Sequence, residues 1–158
     1  MIDGVASEFH TLTMLSSNEI SAIAQPDGMA ARAYTDPHIF EAEMDCIFRS
    51  AWVFVGHESQ IPKPGDFWQT WMGVDEILVV RQKDEGLKVL RNACTHRGTR
   101  ICVTRSGNTN SFVCPYHAWG YELDGTLKAV PDLGGYPTNF DLKDPKLSLT
   151  SAPRADSY

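Results

Sequence analysis

Two short pairs of residues carry the chemistry of this chain: Cys94-x-His96 and Cys114-x-x-His117, separated by residues 97–113. Each pair offers one thiolate and one imidazole. A sulfide-bridged ferric iron is best held by soft, anionic thiolates, with imidazole as the neutral substitute. Two Cys and two His therefore suit a [2Fe–2S] cluster in which thiolates hold one iron and imidazoles the other. The exchange removes negative charge from the second iron. It also leaves imidazole N–H groups facing outward, where an electron-transfer partner can approach. The spacings put the ligands on two loop tips, residues 94–98 and 114–119, which clamp from opposite sides. Gly98 and Gly120 follow the pairs closely and would let backbone N–H groups approach sulfur. A structural zinc site is a competing use of the same residue types. Its usual pattern, with about two to four residues between paired cysteines, fits Cys-x-His poorly. Colour separates the two, since a cluster is brown-red and zinc colourless.

The elements that must position these loops are mostly strands. Residues 1–34 read as an N-terminal arm with weak pattern, a short helix near Ser17–Ala24, and His10 in solvent. Asp36-Pro37 then starts a helix over 37–50, with Asp36 as cap and Pro37 at the first helical position. Phe40, Met44, Ile47, Phe48 and Ala51 give it one apolar face, expected to pack on a sheet. The period then changes to two. Trp52 to Val55, Phe67 to Trp71, Ile77 to Arg81, Leu87 to Asn92 and Ser111 to Cys114 read as strands. Lys83 to Gly86 is a turn, and Asp124-Gly125 is a hairpin signal. Leu87 to Asn92 delivers Cys94, and Ser111 to Cys114 delivers the second pair. The fold class is mainly β: short antiparallel sheets with two ligand-bearing loops, preceded by one α-helix.

The stretch from Cys94 to Trp119 resembles the Rieske domain of ring-hydroxylating oxygenase large subunits, whose signature is C-x-H-R-G followed by C-P-Y-H-x-W. Tyr34 to Pro37, Ile47 to Trp52, Val55 to Glu58 and Ile61 to Asp66 resemble the same family. The likeness spans about residues 29 to 158, so residues 35–158 are expected to form the Rieske domain. Ala118 departs from the pattern, which usually has Gly there, and its methyl is expected to crowd the loop slightly. The resemblance implies a [2Fe–2S] cluster held by Cys94, His96, Cys114 and His117. It also implies electrons arriving from NAD(P)H through a reductase or ferredoxin, and a trimeric assembly with other oxygenase subunits. The electrons would pass to a mononuclear Fe(II) that activates O₂ for aromatic oxidation. That iron takes two His and one carboxylate, a set this chain does not offer. Of its five His, the cluster uses two, while His10, His38 and His57 share no ligand spacing. The mononuclear iron and its catalytic domain are therefore expected outside these residues, with no catalytic residue in this chain.

The tail stops where the family's last strand would continue, so a piece of a longer protein is expected. Gly134 to Pro137 and Asn139 to Asp141 resemble large subunits acting on aromatic acids such as benzoate. Thr99 and Tyr116 occupy the positions where high-potential respiratory Rieske proteins carry a cysteine pair, and Trp119 stands where those proteins have a serine. The resemblance thus implies a low potential. Tyr116 and Trp119 are expected to shield the centre, while Arg97 faces either the cluster or solvent. A stand-alone Rieske ferredoxin, an electron carrier outside an oxygenase, is the alternative. The region from the 37–50 helix through Gly56 argues against it.

Composition bounds the rest. The 158 residues suffice for one domain with a real core, and the net charge is −6. No basic cluster points to nucleic acid. Neither a secretory leader nor an apolar run of about 20 residues is present, so a cytoplasmic setting without a membrane is expected. Cys46 and Cys102, outside the motif, read as buried thiols, or as a disulfide in the lesser alternative.

Overall fold

The structure is a computed structural model that describes residues 15–157. His10 and Tyr158 lie outside the described residues. The chain divides into two compact units, the first ending at Val53 and the second starting at Phe54.

In the first unit, Ser16 and Glu19 form a reciprocal capping box that opens α1 (Ser17–Ile23). It satisfies two backbone N–H groups that a helix start leaves without partners. A small antiparallel ribbon follows, β1 (Ala24–Gln25) and β2 (Gly28–Met29), turning through Pro26-Asp27. Asp36 caps α2 (Pro37–Glu43), its carboxylate accepting from the His38 amide at 3.0 Å. The expected helix over 37–50 is α-helical only to Glu43. Met44–Phe48 widens into a π-turn, and Arg49 N–H reaches back five residues to Met44 O at 3.1 Å. The Ser50 hydroxyl takes the Asp45 carbonyl at 3.2 Å, again five residues back, and Arg49 pairs with Asp45. These side chains supply partners that suit the wider turn. The buried side of α2 is Ile39 and Ala42, not Phe40, which is half exposed. Cys46 is exposed rather than buried.

The second unit carries two antiparallel sheets. The larger has the order β5 (Leu87–Arg91), β4 (Asp75–Arg81), β3 (Asp66–Met72), β6 (Ser106–Asn108). The smaller has the order β7 (Phe112–Val113), β8 (Gly120–Tyr121), β9 (Leu127–Ala129). β4 explains the organisation. Its run Ile77-Leu78-Val79-Val80 is apolar on both faces, as a strand covered on both sides must be. Leu78 and Val80 join Phe67, Leu90, Phe112, Tyr121, Leu123, Leu127 and Leu149 in one core, together with Cys94 and Cys114. Ile77 and Val79 join Val89 and Ile61 in a second, with Val55, Trp68 and Met72 packed against it. Each fully buried aliphatic side chain contributes about 1.5–3 kcal/mol. At the end of β4, Arg81 is buried and donates to Ile61 O (3.0 Å), Glu85 O (2.7 Å) and the Glu58 carboxylate (2.9 Å), which fixes the loop before β3.

Two strand expectations change. Trp52 to Val55 pairs with no strand among the described residues. Its alternation persists with the large rings outward: Trp52 and Phe54 are 71% and 81% exposed. Period two alone does not make a strand without a neighbour to complete the ladder. Conversely β6 is polar and exposed, yet it pairs with Asp66–Trp68. Gly107 admits it, because a Cβ there would come within 2.9 Å of the Phe67 ring. The tail also returns to the sheet: Arg91 N–H donates to Thr150 O and Ala152 N–H to Val89 O, both at 2.8 Å.

Candidate metal centre

Two loops of the same build leave the two sheets. The first follows β5. Cys94 N–H donates to Thr99 O (2.8 Å), and Gly98 N–H returns to Cys94 O (2.7 Å). The second follows β7. Cys114 N–H donates to Trp119 O (2.8 Å), and Ala118 N–H returns to Cys114 O (2.9 Å). In each loop the residue four past the cysteine is left-handed, Gly98 at φ 71° and Ala118 at φ 54°. Gly120, expected to open the backbone near sulfur, is instead the first residue of β8. Ala118 takes the left-handed position in the second loop, and Gly98 N–H donates to the Cys94 carbonyl rather than to sulfur.

Asn92 clasps the first loop at its base. It is 3% exposed. Its Oδ1 accepts from the amides of Ile101 (3.1 Å) and Cys102 (2.9 Å), and its Nδ2 donates to Cys102 O (2.7 Å). Cys102 is a half-buried thiol beside Thr104, with no disulfide.

Cys94 and Cys114 are thiols, each 2% exposed, in the same core cluster. His96 and His117 come together from the two loops, ring centroids 4.8 Å apart and planes at 65°. The Trp119 indole lies flat on His96, 4.8 Å away at 5°, and its Nε1 donates to Tyr136 Oη at 3.1 Å. Tyr136 in turn packs on Phe140 at 4.4 Å. Tyr116 leans on His117 at 3.7 Å but is itself exposed. Trp119 is thus the covering residue, and Tyr116 covers only the imidazole it touches. Arg97 is exposed. His38 is exposed, and His57 caps a short 3-10 turn, its Nδ1 accepting from Ser59 N–H at 3.2 Å.

Two electrostatic features stand out. Burial, then the neighbouring His117 and Arg97, holds the His96 pKa below the usual histidine value, so its neutral form is favoured. His96 Nδ1 is buried without a hydrogen-bond partner, an uncommon state that asks for an explanation. The residue that sequence reasoning missed is Tyr121, fully buried on β8. Its hydroxyl lies 3.1 Å from Cys94 Sγ and 3.0 Å from Thr95 Oγ1. Burial first, then the bond with Cys94, pushes its pKa above the ordinary phenol value, so it stays a neutral hydroxyl. No group of three or more His, Cys, Asp or Glu among the described residues is set to hold one metal ion.

The model of the Rieske [2Fe-2S] domain matches residues 51–143. Among curated proteins, the biphenyl 2,3-dioxygenase subunit alpha of Rhodococcus jostii (strain RHA1) is 49% identical over 100 residues, 63% of this chain and 22% of that protein. The N,N-dimethyl phenylurea N-demethylase subunit alpha of Sphingobium sp. (strain YBL2) is 43% identical over 131 residues, 82% of this chain and 28% of that protein. A solved naphthalene 1,2-dioxygenase with indole bound in the active site superposes with a TM-score of 0.69 at 38% identity, covering 75% of this chain and 26% of that one. The chain thus spans between 22% and 28% of the length of these relatives.

Proposed function

The chain belongs to the Rieske [2Fe-2S] domain family, and on that premise we propose that Cys94 and Cys114 hold one iron of a [2Fe–2S] cluster and His96 and His117 the other. The observation that carries this reading is the pairing of two like-built loops: two buried thiols lie in one apolar cluster, and two imidazoles meet at 4.8 Å. The residues fit the group. A neutral imidazole is the form that binds metal, and an iron on His96 would give its buried, partnerless Nδ1 a role, as a ligand atom or beside one.

When bound, the cluster supplies one-electron transfer. The chain's own part is to hold and to shield. Trp119 covers one face of His96 and is itself covered by Tyr136 and Phe140. Buried Cys94 and Cys114 keep water from sulfur, and limited solvent access helps to set the potential. The partly exposed imidazole side is the edge a donor can approach.

The relatives named above are a dioxygenase subunit alpha, an N-demethylase subunit alpha and a solved dioxygenase, which supports an electron-transfer role within an oxygenase subunit rather than as a stand-alone ferredoxin. Electrons would come from a reductase or ferredoxin and go to a mononuclear iron in a part of the subunit outside this chain, in a trimeric assembly. The substrate class proposed is aromatic. A cytoplasmic setting, where reduced nicotinamide is available, is part of the proposal; no helix among the described residues is long and apolar enough to cross a membrane. The test is reconstitution with iron and sulfide. The reconstituted chain should turn brown-red and bleach on reduction without O₂, yet, mixed with NAD(P)H, a reductase, an aromatic and O₂, form no oxygenated aromatic. A colourless zinc-loaded chain would overturn the cluster, and an oxygenated product would overturn the division of labour.

A further inference from the structure

Four groups form a chain of contacts at the first loop. Cys94 Sγ lies 3.1 Å from Tyr121 Oη, Tyr121 Oη lies 3.0 Å from Thr95 Oγ1, and Thr95 Oγ1 lies 2.7 Å from Leu147 O. Counting hydrogens fixes the direction. Leu147 O can only accept, so the single hydroxyl hydrogen of Thr95 goes to it. The hydrogen between Thr95 and Tyr121 must then come from Tyr121. The one between Tyr121 and sulfur must come from the Cys94 thiol. Three contacts use three hydrogens, all pointing toward Leu147.

A thiolate ligand has no hydrogen to give. With Cys94 bound to iron, three contacts share two hydrogens, and the Tyr121 hydrogen is contested between sulfur and Thr95 Oγ1. We infer that Thr95 is a positioning residue that draws the Tyr121 hydrogen away from Cys94 and so holds the cluster potential below the value the Tyr121–Cys94 bond alone would give. Leu147 makes the competition one-sided, because it engages the Thr95 hydrogen and leaves the Thr95 lone pairs toward Tyr121. Leu147 ends the short 3-10 turn Pro145–Leu147, whose start Asp144 caps by accepting from the Lys146 amide. A segment far from the loops in sequence thereby acts on a ligand sulfur. The physical basis is that hydrogen bonds to sulfur stabilise the more negative, reduced cluster. The inference rests on the assignment of Cys94 as an iron ligand.

The experiment is redox titration of the reconstituted full chain, following visible absorbance. Thr95→Val keeps the shape, fills the hydroxyl's place against water and removes the competitor. Its midpoint should shift upward from wild type. Thr95→Ser, which keeps the hydroxyl, should restore the wild-type value. In a Tyr121→Phe background the Thr95→Val shift should vanish, an outcome that loose packing alone would not give. Thr95→Ala is the second hydroxyl-free variant. A midpoint that stays or falls in the hydroxyl-free variants overturns the inference, as does an equal shift with Phe at position 121. Failure of the underlying reading looks different: the wild-type chain itself would then lack the Rieske visible and paramagnetic spectra.

Discussion

Ala118 holds a backbone conformation with φ 54°, in the loop position matched by Gly98 in the other. The expected cost of this residue was crowding by its methyl. Ala118 is exposed, so the cost lies in the backbone instead. A left-handed L-residue costs about 1–2 kcal/mol, partly offset by about 0.4–1 kcal/mol of unfolded-state entropy that Ala saves relative to Gly. Ala118→Gly should therefore stabilise the chain by about 0.5–1 kcal/mol, read as a higher denaturant midpoint at unchanged slope. Asn92→Ala works in the other direction. It strips partners from the amides of buried Ile101 and half-buried Cys102, and a fully buried group left so costs about 1–3 kcal/mol. A loss of about 2–4 kcal/mol in stability should follow, with iron uptake reduced. The four candidate ligands were legible because residue type and spacing alone suggest them. Tyr121 was not: it lies 27 residues from Cys94 in sequence and reads as one more strand aromatic. Its only sequence signal was its place, two residues past Trp119, on the strand leaving the second loop.

Strands with apolar alternation and turn chemistry could be read directly: β3, β4 and β5 lie within a residue or two of expectation, and Gly125 turns at φ 90° between β8 and β9. Elements whose pairing depends on a distant partner could not. β6 has no apolar face, and only Gly107 against Phe67 and the link from Asn108 to Asp66 explain it. The π-turn after Glu43 depends on Ser50 and Arg49 reaching back, which helical periodicity does not encode. Asp66 ties three pieces together. Its carboxylate accepts from Asn108 Nδ2 and the Lys63 amide, both at 2.8 Å, and these bonds hold its pKa below the usual aspartate value. A carboxylate with a depressed folded pKa stabilises the fold above its unfolded value of about 3.9 and loses that contribution as pH falls further. Denaturant midpoints from pH 7 down to about pH 3 should thus drop more steeply for wild type than for Asp66→Asn. Parallel pH profiles would remove Asp66 from that role.

At the scale of the molecule, two sheets share one core and each lends a loop to the candidate centre, so the candidate ligands Cys94 and Cys114 are as rigid as the core that holds them. The arrangement bears on potential. Trp119 has a ring N–H, but it is spent on Tyr136 Oη. Thr99 contributes its carbonyl to Cys94 N–H. Among the described side chains, Tyr121 is the hydroxyl facing a candidate ligand sulfur, and Thr95 competes for it. Rieske centres span about −150 to +300 mV, and this chain should titrate at the low end, below zero; a midpoint well above zero would indicate sulfur donors of another origin. Electron paramagnetic resonance of the reduced, reconstituted chain bears on the ligand assignment with the least intervening inference. The mixed thiolate and imidazole set should give a rhombic signal with average g below the free-electron value, and Cys94→Ser or Cys114→Ser should abolish or alter it. Retention of that signal with Cys94 replaced by Ala, or no signal from a wild-type chain loaded with iron and sulfide, would contradict the assignment of Cys94, His96, Cys114 and His117.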